Sequence, residues 1–394
     1  MLAADRKPAN CLFFFVGCGI FAFMAGIYIH VPFCKSRCIY CGFFSTTSLS
    51  RRRDYVEALN AELHQRRAFL SDGPISTIYF GGGTPSLLSV QELESLLSSI
   101  YNIYNVESDA EITIEGNPDD LTPDYLASLK RLGINRLSIG VQTFSDARLR
   151  FLHRRHDAVQ AIEAVHTAQR LGFGNISIDL MFGFPGQTVV DWQDDVSQAI
   201  ALGVQHISAY SLMYEEGTLL TALLERGEIT EVNDEDSRRM YECLINQLSQ
   251  AGFSHYEISN FAIPGYESWH NSGYWHGVPY LGIGAGAHSY DGLNRFYNVE
   301  SLGDYIAGAP SVREALTPDE RYNEYVFTGL RTISGICVGS IQEKFGADKM
   351  SYLLHNAQQH LRNGLLVYED DVLRLTRLGL FVSNDVMSDL MWID

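Results

Sequence analysis

Short runs rich in β-branched and aromatic residues alternate with amphipathic helical patterns along the first half of this chain. The runs lie at residues 27–31, 77–80, 111–114, 136–139, 176–180 and 206–210, and the helical patterns between them at 51–70, 90–100, 123–132, 157–171 and 189–202. Strands separated by helices of this length form βαβ units, so the pattern predicts a parallel sheet. Six such units are too few for a closed eight-stranded barrel. We therefore predict an α/β fold whose six-stranded sheet curls into a partial (β/α)6 barrel over residues 24–230.

The pattern changes after residue 230, which indicates further structural units. Residues 231–310 contain one helical pattern (235–250) and then a segment rich in glycine and aromatic residues, which we interpret as an extension of the barrel. From residue 311 onward, helical patterns precede a short hairpin around 364–375. Residues 311–394 are therefore expected to form a smaller, mainly helical, winged-helix-like domain.

Chemically distinctive residues follow the ends of successive predicted strands. Three cysteines follow the first strand, a Gly-Gly-Gly-Thr turn (81–84) follows the second, and Glu115 follows the third. Gln142 follows the fourth strand, and Asp179 lies at the end of the fifth. Sites in parallel sheets gather at the carboxyl ends of the strands, so we expect these residues to converge.

The three cysteines, Cys34, Cys38 and Cys41, are spaced as CxxxCxxC on one loop. Iron–sulfur clusters are held by thiolates, and three thiolates on one short loop can bind three irons of a four-iron cubane. The fourth iron then remains open to a small molecule. The spacing therefore predicts a [4Fe-4S] site.

A structural zinc ion is the alternative ligand for this loop. Structural zinc usually takes four protein ligands, often as two separated pairs. Cys243 and Cys337 are isolated in the sequence and form no second pair, although His30 offers a fourth ligand in principle. We favour the cluster for this reason.

The amino-acid composition indicates the cellular compartment and argues against a nucleic-acid partner. The formal net charge is -18 at pH 7, whereas nucleic-acid binding needs a basic face, so we expect no nucleic-acid partner. Seven cysteines in 394 residues are too few and too clustered for a disulfide framework. This pattern favours a reducing, cytoplasmic location.

The N-terminus allows three interpretations. Residues 11–26 form an apolar run that follows Arg6 and Lys7. Residues 1–23 can be an extension that precedes the true start at Met24, a peripheral attachment to the inner membrane, or a signal peptide. The run is short for a membrane span, which needs about 20 apolar residues. Export would expose an iron–sulfur site to an oxidising space, so we favour the start at Met24.

The stretch Tyr28-Ile-His-Val-Pro-Phe-Cys34, together with the CxxxCxxC motif, resembles the radical S-adenosylmethionine (SAM) proteins of the oxygen-independent coproporphyrinogen oxidase family. The resemblance extends from about Gly26 to the C-terminus. It implies a partial radical SAM barrel, a [4Fe-4S] cluster and SAM bound at the open iron. By this resemblance the SAM-contacting positions are Tyr28, Tyr40, Gly82, Gly83, Thr84, Glu115, Gln142, Arg154 and Asp179.

The chemistry of these residue types suits SAM. Glycines let the backbone approach a ligand closely, and carboxylates and amides can hold ribose hydroxyls and an ammonium group. Arg154 can pair with the SAM carboxylate, and Arg155, which directly follows it, is the competing candidate.

Two features separate the branches of this family. The oxidases usually continue their motif to a fourth cysteine, at a position that Phe43 occupies here. The segment from His270 to Trp275 matches the HNxxYW motif of the HemW-type heme chaperones, with Asn271 and Tyr274 at its other specified positions.

The HNxxYW segment implies a heme site, which we expect near the carboxyl-end mouth of the barrel. A neutral imidazole is a common axial ligand of heme iron, so His270 is the candidate ligand and His276 its rival. Asn271 completes the motif, and Tyr274 and Trp275 can stack on a porphyrin face.

The resemblance implies a chaperone that binds heme and passes it to heme-accepting respiratory membrane proteins. The alternative is a coproporphyrinogen III dehydrogenase, which decarboxylates two propionates oxidatively with an adenosyl radical. A radical SAM methyltransferase acting on another tetrapyrrole or natural product is a third option, because one fold carries many chemistries. Whether the chain is an enzyme, cleaves SAM or forms a homodimer stays open.

Overall fold

The computed structural model describes residues 25–70 and 73–393. Its strands are β1 (Ala25–Val31), β2 (Ile75–Gly82), β3 (Val106–Gly116), β4 (Arg136–Gln142), β5 (Ile176–Phe182), β6 (His206–Ser211), β7 (Ser254–Glu257), β8 (Asn260–Ala262), β9 (Tyr280–Ile283), β10 (His288–Tyr290), β11 (Asn294–Tyr297), β12 (Val312–Ala315), β13 (Ile336–Cys337), β14 (Leu366–Glu369) and β15 (Val372–Leu375).

The α-helices of the described residues alternate with these strands in the first half of the chain and dominate its C-terminal part. They are α1 (Arg52–Gln65), α2 (Val90–Ile103), α3 (Pro123–Arg131), α4 (Asp146–Phe151), α5 (Ala158–Arg170), α6 (Val189–Ala201), α7 (Leu219–Glu225), α8 (Asp234–Gln250), α9 (Trp269–Trp275), α10 (Leu302–Ile306), α11 (Pro318–Leu330), α12 (Val338–Phe345), α13 (Ala347–Arg362), α14 (Arg377–Leu380) and α15 (Ser383–Leu390).

Strands β1 to β6 form the centre of the large sheet and run parallel to one another in sequential order. Their residues are buried on both faces, as in β2, where seven of eight residues are buried. Parallel strands show this pattern because crossover helices cover both faces of the sheet. The predicted α/β fold with six strand–helix units is confirmed.

The sheet stays open, because both edges of the six parallel strands pair with later strands. Strand β9 pairs in parallel with β1, and β8 pairs antiparallel with β6. The complete order of this 12-stranded sheet is β12-β11-β10-β9-β1-β2-β3-β4-β5-β6-β8-β7. Sequence patterns do not predict the added strands, since most have only three or four residues. All four residues of β12 are exposed, so it carries no alternating apolar pattern.

Helix boundaries follow local capping chemistry. Capping boxes begin α2, α5, α6 and α11, and Thr122 caps α3 ahead of Pro123. Gly133 and Gly172 adopt positive φ just after α3 and α5, as the sequence predicts for helix ends. Helix α4 was not predicted, because six residues are too few to show a helical period.

The C-terminal unit has a core of its own. Helices α11 to α15 pack with a three-stranded sheet of order β13-β15-β14. Their buried side chains form a cluster separate from that of the barrel, which includes Tyr322, Val326 and Leu353. The predicted hairpin is present as β14 and β15, and Asp370 and Asp371 form its turn with positive φ. The predicted smaller, mainly helical C-terminal part is confirmed.

The extension predicted at residues 1–23, and Met24 as the start, lie outside the described residues. Within residues 25–70 and 73–393, no helix combines the length and the apolar character that a membrane crossing requires.

A candidate cofactor site at the carboxyl edge of the sheet

The carboxyl ends of the parallel strands border a cavity of about 430 Å³, called the cofactor cleft below. Its lining includes all three cysteines of the CxxxCxxC loop. Of the nine positions predicted to contact SAM, eight also line the cleft: Tyr40, Gly82, Gly83, Thr84, Glu115, Gln142, Arg154 and Asp179. The exception is Tyr28, which lies deeper in the barrel, where its ring stacks on that of Tyr79 at 6.1 Å.

Backbone hydrogen bonds within the cysteine loop fix its conformation, and one side-chain contact joins it to the end of β2. The Cys34 amide donates to the Thr46 carbonyl at 2.9 Å, and the Cys41 amide donates to the Cys38 carbonyl at 3.2 Å. The Thr84 hydroxyl donates to the Cys34 sulfur over 3.5 Å. Burial raises the pKa of the Cys34 and Cys41 thiols, which favours their neutral form until a metal displaces the protons.

Three thiols on one loop, facing a cavity, match the donor set of a cluster with one open iron. In the part of the chain that the structure describes, no three His, Cys, Asp or Glu side chains converge on a single metal ion. A four-iron cluster does not require such convergence, because each thiolate binds a different iron.

Two glycines allow strand β2 to approach this loop. Gly82 has φ of +111°, and a Cβ there would lie 2.7 Å from the His30 ring. A Cβ on Gly83 would lie 2.9 Å from the Cys34 sulfur. Real Cβ atoms do not tolerate such distances, so the turn brings its backbone to the cleft only because both residues lack side chains.

Two half-buried carboxyl groups face the cleft from β3 and β5. Glu115 accepts hydrogen bonds from the Tyr79 hydroxyl at 2.8 Å and the Gly82 amide at 3.1 Å. Burial nevertheless raises the pKa of Glu115 to about 7 and that of Asp179 to about 6. A cationic ligand beside them would favour their charged forms.

The side chains of Arg154 and Arg155 contact different residues. Arg154 donates to the Gly140 carbonyl at 2.6 Å and to Asn117 Oδ1 at 2.7 Å, and its Nη1 lies 3.6 Å from the Cys38 sulfur. Arg155 forms ion pairs with Asp119 and Asp120 at 2.7 and 3.3 Å. Arg154 is therefore the arginine that contacts a cluster-loop sulfur.

Sequence reasoning missed several polar residues of the cleft, among them Asn117 and Ser138. Asn117 orients Arg154, and the Ser138 hydroxyl donates to Asp179 Oδ1 at 3.4 Å. Asn117 lies two residues beyond Glu115, just after β3, so its position at a strand end was the available signal. Ser138 lies within β4 and offers no comparable signal.

The HNxxYW segment forms α9, and its histidine is turned into the barrel. His270 is buried; its Nδ1 hydrogen-bonds with Thr77 Oγ1 at 2.7 Å and its Nε2 with the Tyr274 hydroxyl at 2.8 Å. Burial lowers the pKa of His270 to about 3. Thr77 lies near the beginning of β2, so His270 does not reach the carboxyl-end mouth where heme was expected. Iron coordination by either nitrogen would cost one of these hydrogen bonds.

The other residues of the motif extend outward from His270. Tyr274, Trp275 and His276 line a second cavity of about 780 Å³ next to the C-terminal unit. Asn271 is half-buried in the first turn of α9, where its backbone N–H donates to the Ser268 hydroxyl. Phe43 borders the cofactor cleft instead and is 72% exposed.

Comparison with known proteins identifies the family. A model of the radical SAM superfamily matches residues 28–199, and a model of the HemN C-terminal domain matches residues 316–382. Heme chaperone HemW of Bacillus subtilis (strain 168) is 36% identical over 371 residues, which cover 92% of this chain and 98% of that protein. The chain belongs to the HemW family of radical SAM proteins. The family resemblance inferred from the sequence is confirmed.

A further relative and one solved structure are also similar to this HemW-family chain. The mitochondrial radical S-adenosyl methionine domain-containing protein 1 of Bos taurus is 31% identical over 395 residues, covering 93% of this chain and 87% of that protein. The solved structure of coproporphyrinogen III oxidase (HemN) from Escherichia coli superposes with a TM-score of 0.81 over 94% of this chain and 90% of that one. At 23% sequence identity, that likeness concerns the fold alone.

Proposed function

We propose that this chain holds a [4Fe-4S] cluster on Cys34, Cys38 and Cys41, binds SAM beside it, and binds heme for delivery to respiratory membrane proteins. The observation that carries the proposal is that the three thiols and eight of the nine predicted SAM-contacting residues line one cavity. The heme chaperones among its relatives support heme as the cargo. The proposed location is the cytoplasm, with peripheral contact to the inner membrane during delivery.

Different residues of the cofactor cleft would bind different groups of SAM. Arg154 pairs with its carboxylate, and Glu115 and Asp179 hold the ammonium group and the ribose hydroxyls. Gly82 and Gly83 leave room for backbone contacts. When bound, the cluster and SAM supply an electron and an adenosyl group, which together allow radical chemistry.

Heme is proposed to bind beside the HNxxYW segment rather than in the cofactor cleft. Tyr274 and Trp275 support this location because they line the larger cavity, whose volume of about 780 Å³ exceeds that of the cleft. His270 and Asn271 then act in the same segment, by orienting α9 and its aromatic side chains.

Cysteine variants test the cluster. The full chain, reconstituted anaerobically, is expected to contain about four iron and four sulfide ions per chain, with broad visible absorption. Replacement of Cys34, Cys38 or Cys41 by alanine should abolish that absorption. Cys243→Ala on α8, outside the cleft, is the matched control and should keep it. Unchanged iron and sulfide contents in all three loop variants would refute the assignment.

Heme titration separates the chaperone from the enzyme alternative. The reconstituted protein is expected to bind ferric heme saturably, at about one heme per chain. Incubated with SAM, a reductant and coproporphyrinogen III, it is expected to release no carbon dioxide above background. Decarboxylation without saturable heme binding would favour the coproporphyrinogen dehydrogenase instead.

A further inference from the structure

The cofactor cleft and the larger cavity are separate openings. The cleft lies at the carboxyl ends of the parallel strands, whereas the larger cavity lies beside α9, the edge strands β9 to β11, and helices α11 and α12. No described residue lines both of them. A ligand in one cavity can therefore influence a ligand in the other only through the protein that lies between them.

A continuous set of contacts extends from Glu115 in the cleft to Tyr274 in the wall of the larger cavity. The Tyr79 hydroxyl donates to Glu115 Oε1 at 2.8 Å. The Tyr79 ring stacks on the His270 ring, with 5.0 Å between centroids and 23° between ring planes. His270 Nε2 hydrogen-bonds with the Tyr274 hydroxyl at 2.8 Å. These four residues, called the connecting residues below, join the two cavities by direct contacts.

The two central rings of this set are closely packed. Tyr79 and His270 are buried, and His270 Nδ1 hydrogen-bonds with Thr77 Oγ1 at 2.7 Å. A Cβ on Gly26 would lie 3.1 Å from the His270 ring. A Cβ on Gly81 would lie 2.9 Å from the Tyr79 ring. Because close-packed side chains transmit a displacement to their neighbours, a change at one ring is expected to reach the other.

Strand β3, which carries Glu115, also holds the beginning of α9. Glu111 on this strand accepts hydrogen bonds from the backbone N–H groups of Trp269 and His270 at 3.1 and 3.2 Å. Arg136 on β4 lies 3.7 Å from the Glu111 carboxylate. Glu115 and His270 are thus connected twice, by the Tyr79 side chain and by β3 itself. A shift of β3 on ligand binding would therefore reach α9 directly.

The Tyr79 hydroxyl has two possible hydrogen-bond arrangements, and a ligand in the cleft would select one of them. Burial raises the pKa of Glu115 to about 7, so its neutral and charged forms coexist near neutral pH. A neutral carboxyl group can either donate to the hydroxyl or accept from it, whereas a carboxylate only accepts. The ammonium group of SAM would favour the carboxylate. The Tyr79 hydroxyl must then donate, in a stronger, charge-assisted hydrogen bond.

We propose that the HNxxYW segment couples the two cavities, so that SAM in the cofactor cleft raises the affinity of the larger cavity for heme through Tyr79, His270 and Tyr274. The proposal rests on the function proposed above and adds regulation of its heme site. SAM fixes Tyr79 against Glu115, and the stacked His270 ring and the Tyr274 side chain are ordered with it. Heme then loses less conformational entropy when it binds, because part of the cavity wall is already ordered. By linkage, heme raises the affinity for SAM by the same factor.

Two titrations of the full chain, reconstituted with its cluster and kept without a reductant so that SAM is not cleaved, test the coupling. Ferric heme is titrated with and without saturating SAM, and SAM is titrated with and without saturating heme. The ratio of the dissociation constants without and with the other ligand is called the coupling factor. It is expected to be about five or more and to be equal in the two titrations.

Conservative variants test the route of the coupling. Tyr79→Phe and Tyr274→Phe keep the rings but remove the hydroxyls of two connecting residues, so the coupling factor should fall below about two in each. A purely structural role would change the two affinities without changing their ratio. Tyr125→Phe on α3 is the matched control, because it loses a hydrogen bond of 3.0 Å to the Leu88 carbonyl outside both cavities. It should keep the coupling factor of the wild type.

The outcomes distinguish this proposal from the function on which it rests. If the wild-type chain does not bind heme or SAM saturably, the proposed function itself fails. If it binds both ligands and SAM leaves the heme affinity unchanged or lowers it, the function stands and the coupling is overturned. A wild-type coupling factor that persists in both Tyr79→Phe and Tyr274→Phe would overturn the route through His270.

Discussion

At the scale of single residues, the carboxyl groups of Glu115 and Asp179 in the cofactor cleft lie where burial disfavours their charged forms. Among the described residues, Glu115 accepts two hydrogen bonds, from the Tyr79 hydroxyl and the Gly82 amide, and burial outweighs them. Its pKa rises to about 7 as a result. Such a group destabilises the empty protein at neutral pH and favours binding of a cation that would neutralise it.

The variant Glu115→Gln tests whether this carboxyl group lowers the stability of the empty protein and strengthens the binding of a cation. In the unfolded chain the pKa of Glu115 is near 4.3, and in the folded chain it is about 7. Between these two pH values the folded chain therefore binds a proton that the unfolded chain has lost. The stabilising contribution of this proton is complete below the unfolded pKa and is lost as the pH rises through the folded pKa. Urea denaturation should therefore show Glu115→Gln more stable than wild type by on the order of 2 kcal/mol at pH 8, and nearly equal to it in stability at about pH 4.

The same variant should bind SAM more weakly, because the neutral amide cannot pair with an ammonium group. Glu94→Gln, exposed on α2, is the control and should affect neither measurement. Equal destabilisation of Glu115→Gln at both pH values would show that the charge of this carboxyl is not the cause.

At the scale of elements, helix α11 connects the C-terminal unit to the larger cavity. It carries Arg321, Tyr325 and Phe327 into the lining, while Tyr322 and Val326 pack into the C-terminal core. One helix can contact both the cavity and the core because residues three or four positions apart lie on the same face of a helix. Its start is set by a capping box between Thr317 and Glu320.

Loss of this cap should destabilise the C-terminal unit. In Thr317→Ala the Glu320 amide loses its side-chain acceptor, which is expected to cost about 1 kcal/mol. Thr317→Ser keeps the hydroxyl and should retain most of the stability. Hydrogen exchange of the α11 amides, compared with those of α5, measures the effect. Equal exchange in the alanine and serine variants would contradict a capping role.

At the scale of the whole molecule, one buried carboxylate joins the barrel to the strands that extend it. Glu62 on α1 accepts hydrogen bonds from the Gly284 amide at 3.0 Å, Asn298 Nδ2 at 2.8 Å and the Tyr305 hydroxyl at 2.6 Å. Arg66 pairs with it at 3.2 Å. The three hydrogen-bond donors Gly284, Asn298 and Tyr305 come from segments more than 200 residues away in sequence, so Glu62 fixes β9 and α10 against α1.

Glu62→Ala should therefore loosen one edge of the sheet selectively. Removing the carboxylate leaves buried donors without an acceptor, at an expected cost of about 3 kcal/mol. Hydrogen exchange should accelerate in β9 to β11 and much less in β4 to β6. Glu57→Ala, exposed on the same helix, serves as the control. Uniform acceleration across the sheet would argue against a local connection.

Much of the fold and of the cofactor cleft could be predicted because the information is local in the sequence. The central strands and their helices show their own periods and caps, and the Cys34 motif and the glycine turn each lie directly after a strand. Parallel strands then bring these ends together without further information. The short edge strands and Ser138 escaped prediction, because three- or four-residue strands have no period and a serine inside a strand has no distinctive spacing.

The amino-acid sequence by itself determined the family, the α/β barrel and the strand ends at which the cofactor cleft lies, because motif spacing and strand order are local features of the chain. Only the tertiary structure decided the surroundings of His270 and His276. His270 is buried and hydrogen-bonds with Thr77, which lies 193 residues earlier in the sequence. His276 instead lines a cavity whose wall also includes residues of α11 and α12. Packing between segments so far apart depends on the whole core, and no local pattern encodes it.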